Sequence, residues 1–170
     1  MGTNLIGLGE GAAVHEHGGF VNTTLSYDRR ISLKDEKQTT LDLGAQTGFQ
    51  MGLLLREHGE GVIRPGYGGS LGVRATFLRH FSETFSLGGQ LVVGARFWEQ
   101  IQEGGRLPER REWKAAADIQ FLLAAGVTFP DLFQVSLYAG LELINESPGV
   151  TCGITVNLFI PDRSRKPTSE

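Results

Sequence analysis

Residues 85–97 read Phe85-Ser-Leu-Gly-Gly-Gln-Leu-Val-Val-Gly-Ala-Arg-Phe97, and their alternation decides the fold. One set of alternate positions is Phe85, Leu87, Gly89, Leu91, Val93, Ala95 and Phe97; the other is Ser86, Gly88, Gln90, Val92, Gly94 and Arg96. So regular an alternation is the period-two signature of a β-strand with unlike surroundings on its two sides. We read the apolar face as turned to lipid and the other as turned to a narrow polar lumen.

The same split recurs outward from this stretch. Candidate strands are Leu5 to Val14, Phe20 to Leu33, Thr39 to Glu57, Gly69 to Phe81, Phe85 to Glu99, Trp113 to Phe129, Phe133 to Ile144 and Val150 to Ile160. Eight strands put both termini on one side. On that side the connections are short: KDEKQ, SET and PDL. On the other they are HEHGG, a Gly/Pro-rich loop His58 to Gly68, a charged loop Gln100 to Glu112, and NESPG. Short turns at one end and longer loops at the other fit a bacterial outer-membrane barrel. Residues 1–160 are expected to form one barrel domain and 161–170 a polar tail.

Composition narrows the class. A chain of 170 residues suits one domain, and a net charge of -3 without a basic stripe argues against a nucleic-acid partner. No apolar run approaches the ~20 residues of a membrane helix. The 24 glycines fall largely inside strands, where glycine normally weakens pairing. Cys152 is alone, which excludes an internal disulfide. The opening MGTNLIGLGEG lacks a basic start and an apolar core, so an envelope destination implies a leader removed or replaced at Met1.

A soluble barrel of lipocalin type, binding a ligand inside an apolar lumen, predicts the same alternation. The polar face separates the two readings. It carries Gly, Ser, Thr and Gln, not the Lys/Glu cover of soluble strands, and small side chains suit a closed lumen. Aromatics agree with lipid outside: Phe77, Phe81, Phe85, Phe129 and Phe133 gather at the short-turn end, with Phe97 and Trp113 at the other, as interfacial girdles do.

With its alternation, its turn lengths, these girdles and strand starts such as FSLGG and LYAG, the chain resembles the small eight-stranded outer-membrane proteins of OmpA and OmpX type. The resemblance implies an all-β, closed, antiparallel up-and-down transmembrane barrel with a filled lumen, in the bacterial outer membrane. It departs from that pattern in the tail after Ile160, since such chains end on an aromatic and here Phe159 precedes the end. The lipid-facing set is Leu87, Leu91, Val93, Leu137, Leu141, Ile154 and Val156. The expected role is structural or interactive, through outer loops or the barrel wall, and not that of an open porin. Partners would be membrane lipids, lipopolysaccharide or another protein in the membrane, and no cofactor is expected.

Unpaired charges inside a narrow barrel are expensive, so the inward-facing Arg74, Arg96, Asp118 and Glu142 are expected to form one network, with Arg96, Asp118 and Glu142 at similar heights and Arg74 somewhat lower. His15, His17 and His58, with Glu16, Glu57 and Glu60 beside them, offer ligands for zinc, nickel or copper. His80, Ser82 and Glu83 carry residue types used by lipid A deacylases, but they fall in a short turn on the periplasmic side. Turn chemistry accounts for Ser82 and Thr84, and a lipid-modifying enzyme stands as the second alternative, after the soluble ligand-binding barrel. Arg106, Arg110 and Arg111 could contact phosphates, diluted by Glu103, Glu109 and Glu112.

Overall fold

The computed structural model describes residues 2–15, 18–33, 38–52, 56–58, 61–104, 107–145 and 147–160; for 2, 56–58, 61–65, 102–104 and 107–110 only the backbone path is considered. The strands are β1 (Gly2–His15), β2 (Gly18–Ser32), β3 (Thr39–Gly52), β4 (Arg56–His58), β5 (Gly61–His80), β6 (Phe85–Gly104), β7 (Leu107–Phe129), β8 (Phe133–Ile144) and β9 (Ser147–Ile160). β3 and the short β4 both pair with β5 and form one stave. Every other neighbour pair is antiparallel and consecutive, and β1 pairs β9 to close an eight-stave barrel.

Closure is staggered. Following hydrogen-bonded partners from Leu5 leads to Asp28, Gly44, Arg74, Val92, Gln120, Glu142 and Gly149, and returns to β1 at His15, ten residues further on. A stagger of this size in eight staves corresponds to a strand tilt of about 40°. Each row of paired residues therefore climbs from the short-turn end, called lower here, toward the upper end.

Two loops of the sequence reading become strand. β5 begins at Gly61, inside the expected His58 to Gly68 loop, and β6 and β7 continue through most of Gln100 to Glu112, with Gly104 opposite Leu107. Antiparallel pairing can continue wherever the opposite strand supplies backbone partners, whatever the side-chain charge. Pro65 is accommodated at a register shift between Pro65 and Gly68, the setting in which a strand tolerates a residue without an N–H. The tail, 161–170, lies outside the described residues.

The two faces separate sharply. Leu87, Leu91, Val93, Leu137, Leu141, Ile154 and Val156 all project from the outer wall, between 38% and 60% exposed. Ser86, Arg96, Gln134 and Glu142 point inward and are at most 1% exposed. Phe77, Phe81, Phe85 and Phe129 are exposed on the lower wall, where Phe129 stacks on Phe133 at 4.5 Å. Phe97 and Trp113 stand above, joined by a stacked pair, Phe49 and Tyr67, at 5.9 Å.

Candidate functional site: the charged lumen

Three layers of charge fill the barrel. At the bottom, Arg30 donates from Nε and Nη2 to Asp42 at 2.8 and 2.7 Å, and from Nη2 to Gln134 Oε1 at 2.6 Å. Next above, Arg74 forms a two-pronged pair with Asp28, with Nε to Oδ1 at 2.6 Å and Nη2 to Oδ2, and Nη2 also reaches Asn157. At the top, Arg96 Nη2 is shared between Asp118 Oδ2 at 3.1 Å and Glu142 Oε1. There Gln120 donates to both carboxylates at 3.0 and 2.7 Å, and His15 Nε2 hydrogen-bonds Glu142 Oε2 at 2.7 Å.

The structure thus joins Arg96, Asp118 and Glu142 but seats Arg74 in a separate layer. The hairpin register is the reason: on β6 the residue opposite Arg74 is Val92, and Arg96 pairs with Ser70, four residues further from the short turn. The partners that sequence reading missed are Asp28, Arg30 and Asp42. The run Tyr27-Asp-Arg-Arg-Ile31 puts Arg29 outward with Leu25, Tyr27 and Ile31, and Asp28 and Arg30 inward, so alternation tells the two arginines apart and the register decides which partners they meet.

Strand glycines find their use here. Asp28, Gly44 and Arg74 lie on one hydrogen-bonded row, as do Glu142, Gly149 and His15. In each case the long side chains meet over the glycine. A Cβ on Gly44 would strike Asp28, and one on Gly149 would strike the His15 ring. Gly153 and Gly11 similarly leave space for Tyr138. Glycine weakens the strand locally but gives the ion pairs room in a lumen this narrow.

The upper layer is roofed by aromatics. The Arg96 guanidinium lies 5.7 Å from the Phe20 ring centre, within cation–π range, and Phe20 meets Trp98 and His15 edge-on at 6.2 and 6.4 Å. Arg96 Nε and Nη1, Asp118 Oδ1 and His15 Nδ1 are buried without protein partners among the described residues, a layer that ordered water can complete. An internal cavity of about 20 Å³ beside Arg74, Tyr138 and Asn157 has room for a water molecule, not a solute.

Other sequence candidates separate. His15, expected in an exposed turn, ends β1 and is buried in the lumen. His17 and the His58 side chain lie outside the described residues, and no group of three or more metal-ligating side chains occurs among those described. His80 Nε2 lies 3.1 Å from the Thr40 hydroxyl. Ser82 Oγ accepts from the Thr84 and Phe85 amides at 3.3 and 3.0 Å, so it caps the turn and has no hydrogen bond with His80. Arg106 is outside the described residues, as is the Arg110 side chain; Arg111 lies 3.6 Å from Glu99.

A closed eight-stave barrel, apolar outside and ionic within, is the architecture of the small outer-membrane barrels. Among solved structures the chain is similar to Ail, the attachment invasion locus protein of Yersinia pestis, with 11% identity, a TM-score of 0.55 and coverage of 94% of this chain and 97% of that one. It is similar also to Neisserial surface protein A, with 10% identity, a TM-score of 0.55 and coverage of 92% and 96%. At these identities the likeness concerns the fold. No protein-family model and no curated protein sequence matches the chain.

Proposed function

We propose that the chain is a bacterial outer-membrane barrel with a structural or interaction role, whose wall and upper hairpins meet lipids or partners and whose lumen is not an open pore. The outer wall carries this reading. Leu71, Leu123, Leu137, Leu141 and Val150 are all about 60% exposed or more, and large apolar side chains exposed all round a wall mark a membrane or partner surface. A lipocalin-like barrel needs the opposite arrangement, with apolar residues inside.

Ail has been crystallised with a heparin analogue, sucrose octasulfate. By that likeness, and because guanidinium groups suit sulfate and phosphate, the upper hairpin bearing Arg106, Arg110 and Arg111 is the surface we assign to polyanionic ligands such as lipopolysaccharide. The decisive experiment is purification with and without detergent, followed by planar-bilayer recording. The expected result is a fold that depends on detergent or lipid, with no steady porin-sized conductance. A monodisperse monomer in plain buffer refutes the membrane assignment, and a sustained large conductance refutes the closed lumen.

A further inference from the structure

The upper layer of the lumen is out of electrical balance. In each of the two layers beneath it one guanidinium meets one carboxylate, Arg30 with Asp42 and Arg74 with Asp28, whereas Arg96 faces two, Asp118 and Glu142. No spare cation stands nearby among the described residues. Arg74 below is taken by Asp28, and Lys114, inward on β7 above Asp118, lies 3.0 Å from Glu112. β2, β3 and β9 bring the uncharged Phe20, Gln50 and Gly149 to this end, and Tyr138 on β8 stands two residues below Glu142.

The two carboxylates are also pressed together. Asp118 Oδ2 and Glu142 Oε1 accept from the same two donors, Arg96 Nη2 and Gln120 Nε2, so the oxygens sit side by side. Arg96, Asp118, Glu142 and His15 are all buried, with Phe20 and Trp98 above them, where water screens least. Like charges in such contact do not both ionise, and a buried charge without its counter-charge is costly. One further group is within reach to supply positive charge: His15, whose Nε2 lies 2.7 Å from Glu142 Oε2.

We propose that the upper layer binds one proton at neutral pH, shared among Asp118, Glu142 and His15, and that this proton latches the seam of the barrel. Groups coupled this closely titrate as a unit, so the proton belongs to the cluster. A carboxyl O–H donated to its neighbour, or an imidazolium N–H donated to Glu142, balances the layer in either case. Release of the proton leaves one net negative charge, drives Asp118 and Glu142 apart, and loosens the link from β1 to β8 across Gly149 of β9. The upper end of the barrel thereby responds to pH, and the evenly paired layers beneath it do not.

Urea unfolding of the full chain in micelles between about pH 6 and about pH 9 tests the latch, with heat-modifiable gel mobility confirming that each variant is folded. In an unfolded chain the carboxylates are ionised throughout this range and imidazoles shed their protons above about pH 6.5. The native state therefore holds the extra proton, and stability falls as pH rises. Relative to Asp118→Asn and Glu142→Gln, whose amides stand where a neutral acid stood, the wild type's unfolding constant should rise by up to about tenfold per pH unit. Both variants should be more stable than the wild type at the alkaline end, and because they keep every histidine, the titration of His80 and the others cancels. Variants weakened by the same factor at both ends of the range overturn the proposal. So does a midpoint that follows sodium or potassium concentration in place of pH, which gives the excess charge to a bound metal cation. On the wild type alone, the infrared carbonyl band of a protonated carboxyl and nitrogen NMR of labelled histidine locate the proton. Ionised Asp118 and Glu142 beside a neutral His15 at neutral pH overturn the proposal even where no variant folds.

Discussion

Arg74 reaches Asp28 across Gly44. The three residues stand side by side on β5, β2 and the β3 strand between them, and the pairing exists because the middle position has no side chain. Gly149 stands between Glu142 and His15 in the same way. At these two rows the glycine makes room for the pair, so substitutions at Gly44 and Gly149 should read as disruptions of the contacts between Arg74 and Asp28 and between His15 and Glu142.

Gly149→Val should therefore destabilise the barrel by about 1–3 kcal/mol, the usual effect of overpacking. Pairing it with His15→Ala should recover part of the loss, because the obstructed ring is gone. Urea unfolding in micelles, followed by tryptophan fluorescence, measures both.

Arg96→Met leaves Asp118 and Glu142 buried without their guanidinium. The expected loss is about 3–5 kcal/mol, the cost of breaking a buried pair from one side. Adding Asp118→Leu and Glu142→Leu removes the stranded charges, and the triple variant should regain most of the lost stability. A triple variant less stable than Arg96→Met alone would contradict this account of the upper layer.

The layers should also be thermodynamically separate. Asp28→Ala with Arg96→Ala should give additive losses to within about 0.5 kcal/mol, as distant sites do, whereas Glu142→Ala with Arg96→Ala should couple by about 0.5–3 kcal/mol. Strong coupling in the first cycle would restore a single network containing Arg74.

Leu141→Arg examines the surroundings of the wall. Near the middle of a bilayer it should cost about 2–4 kcal/mol, while on a water-exposed wall a surface substitution stays within about 0.5 kcal/mol. Folding titrations into lipid vesicles distinguish the two.

Much of this molecule was legible beforehand, and the boundary is instructive. Alternation is local, so Ser86 to Arg96 could be turned inward and Phe85 to Phe97 outward from the sequence alone. Register is not local. It depends on how far the closing strand slips, and the ten-residue return from Leu5 to His15 is written in no single segment. Counting from the short turns groups Arg96, Asp118 and Glu142 and sets Arg74 somewhat lower, whereas the partners that hold Arg74 in a layer of its own, Asp28 and Asn157, come within reach only through the closed register. His15 was hidden for another reason: in a run such as HEHGG, nothing marks which histidine is the last strand residue. Tyr67 was lost to the upper aromatic band because the glycines and proline around it look like loop.

The contact between His15 and Glu142 has a meaning in time as well as in space. It ties the first strand to the penultimate one, 127 residues away in sequence, over a glycine of the last strand. Neither partner can find the other until β9 has arrived and sealed the seam with β1. Such distant pairings carry the largest loop-closure penalty and form late, so this hydrogen bond marks the moment the sheet stops being a ribbon with two free edges and becomes a ring.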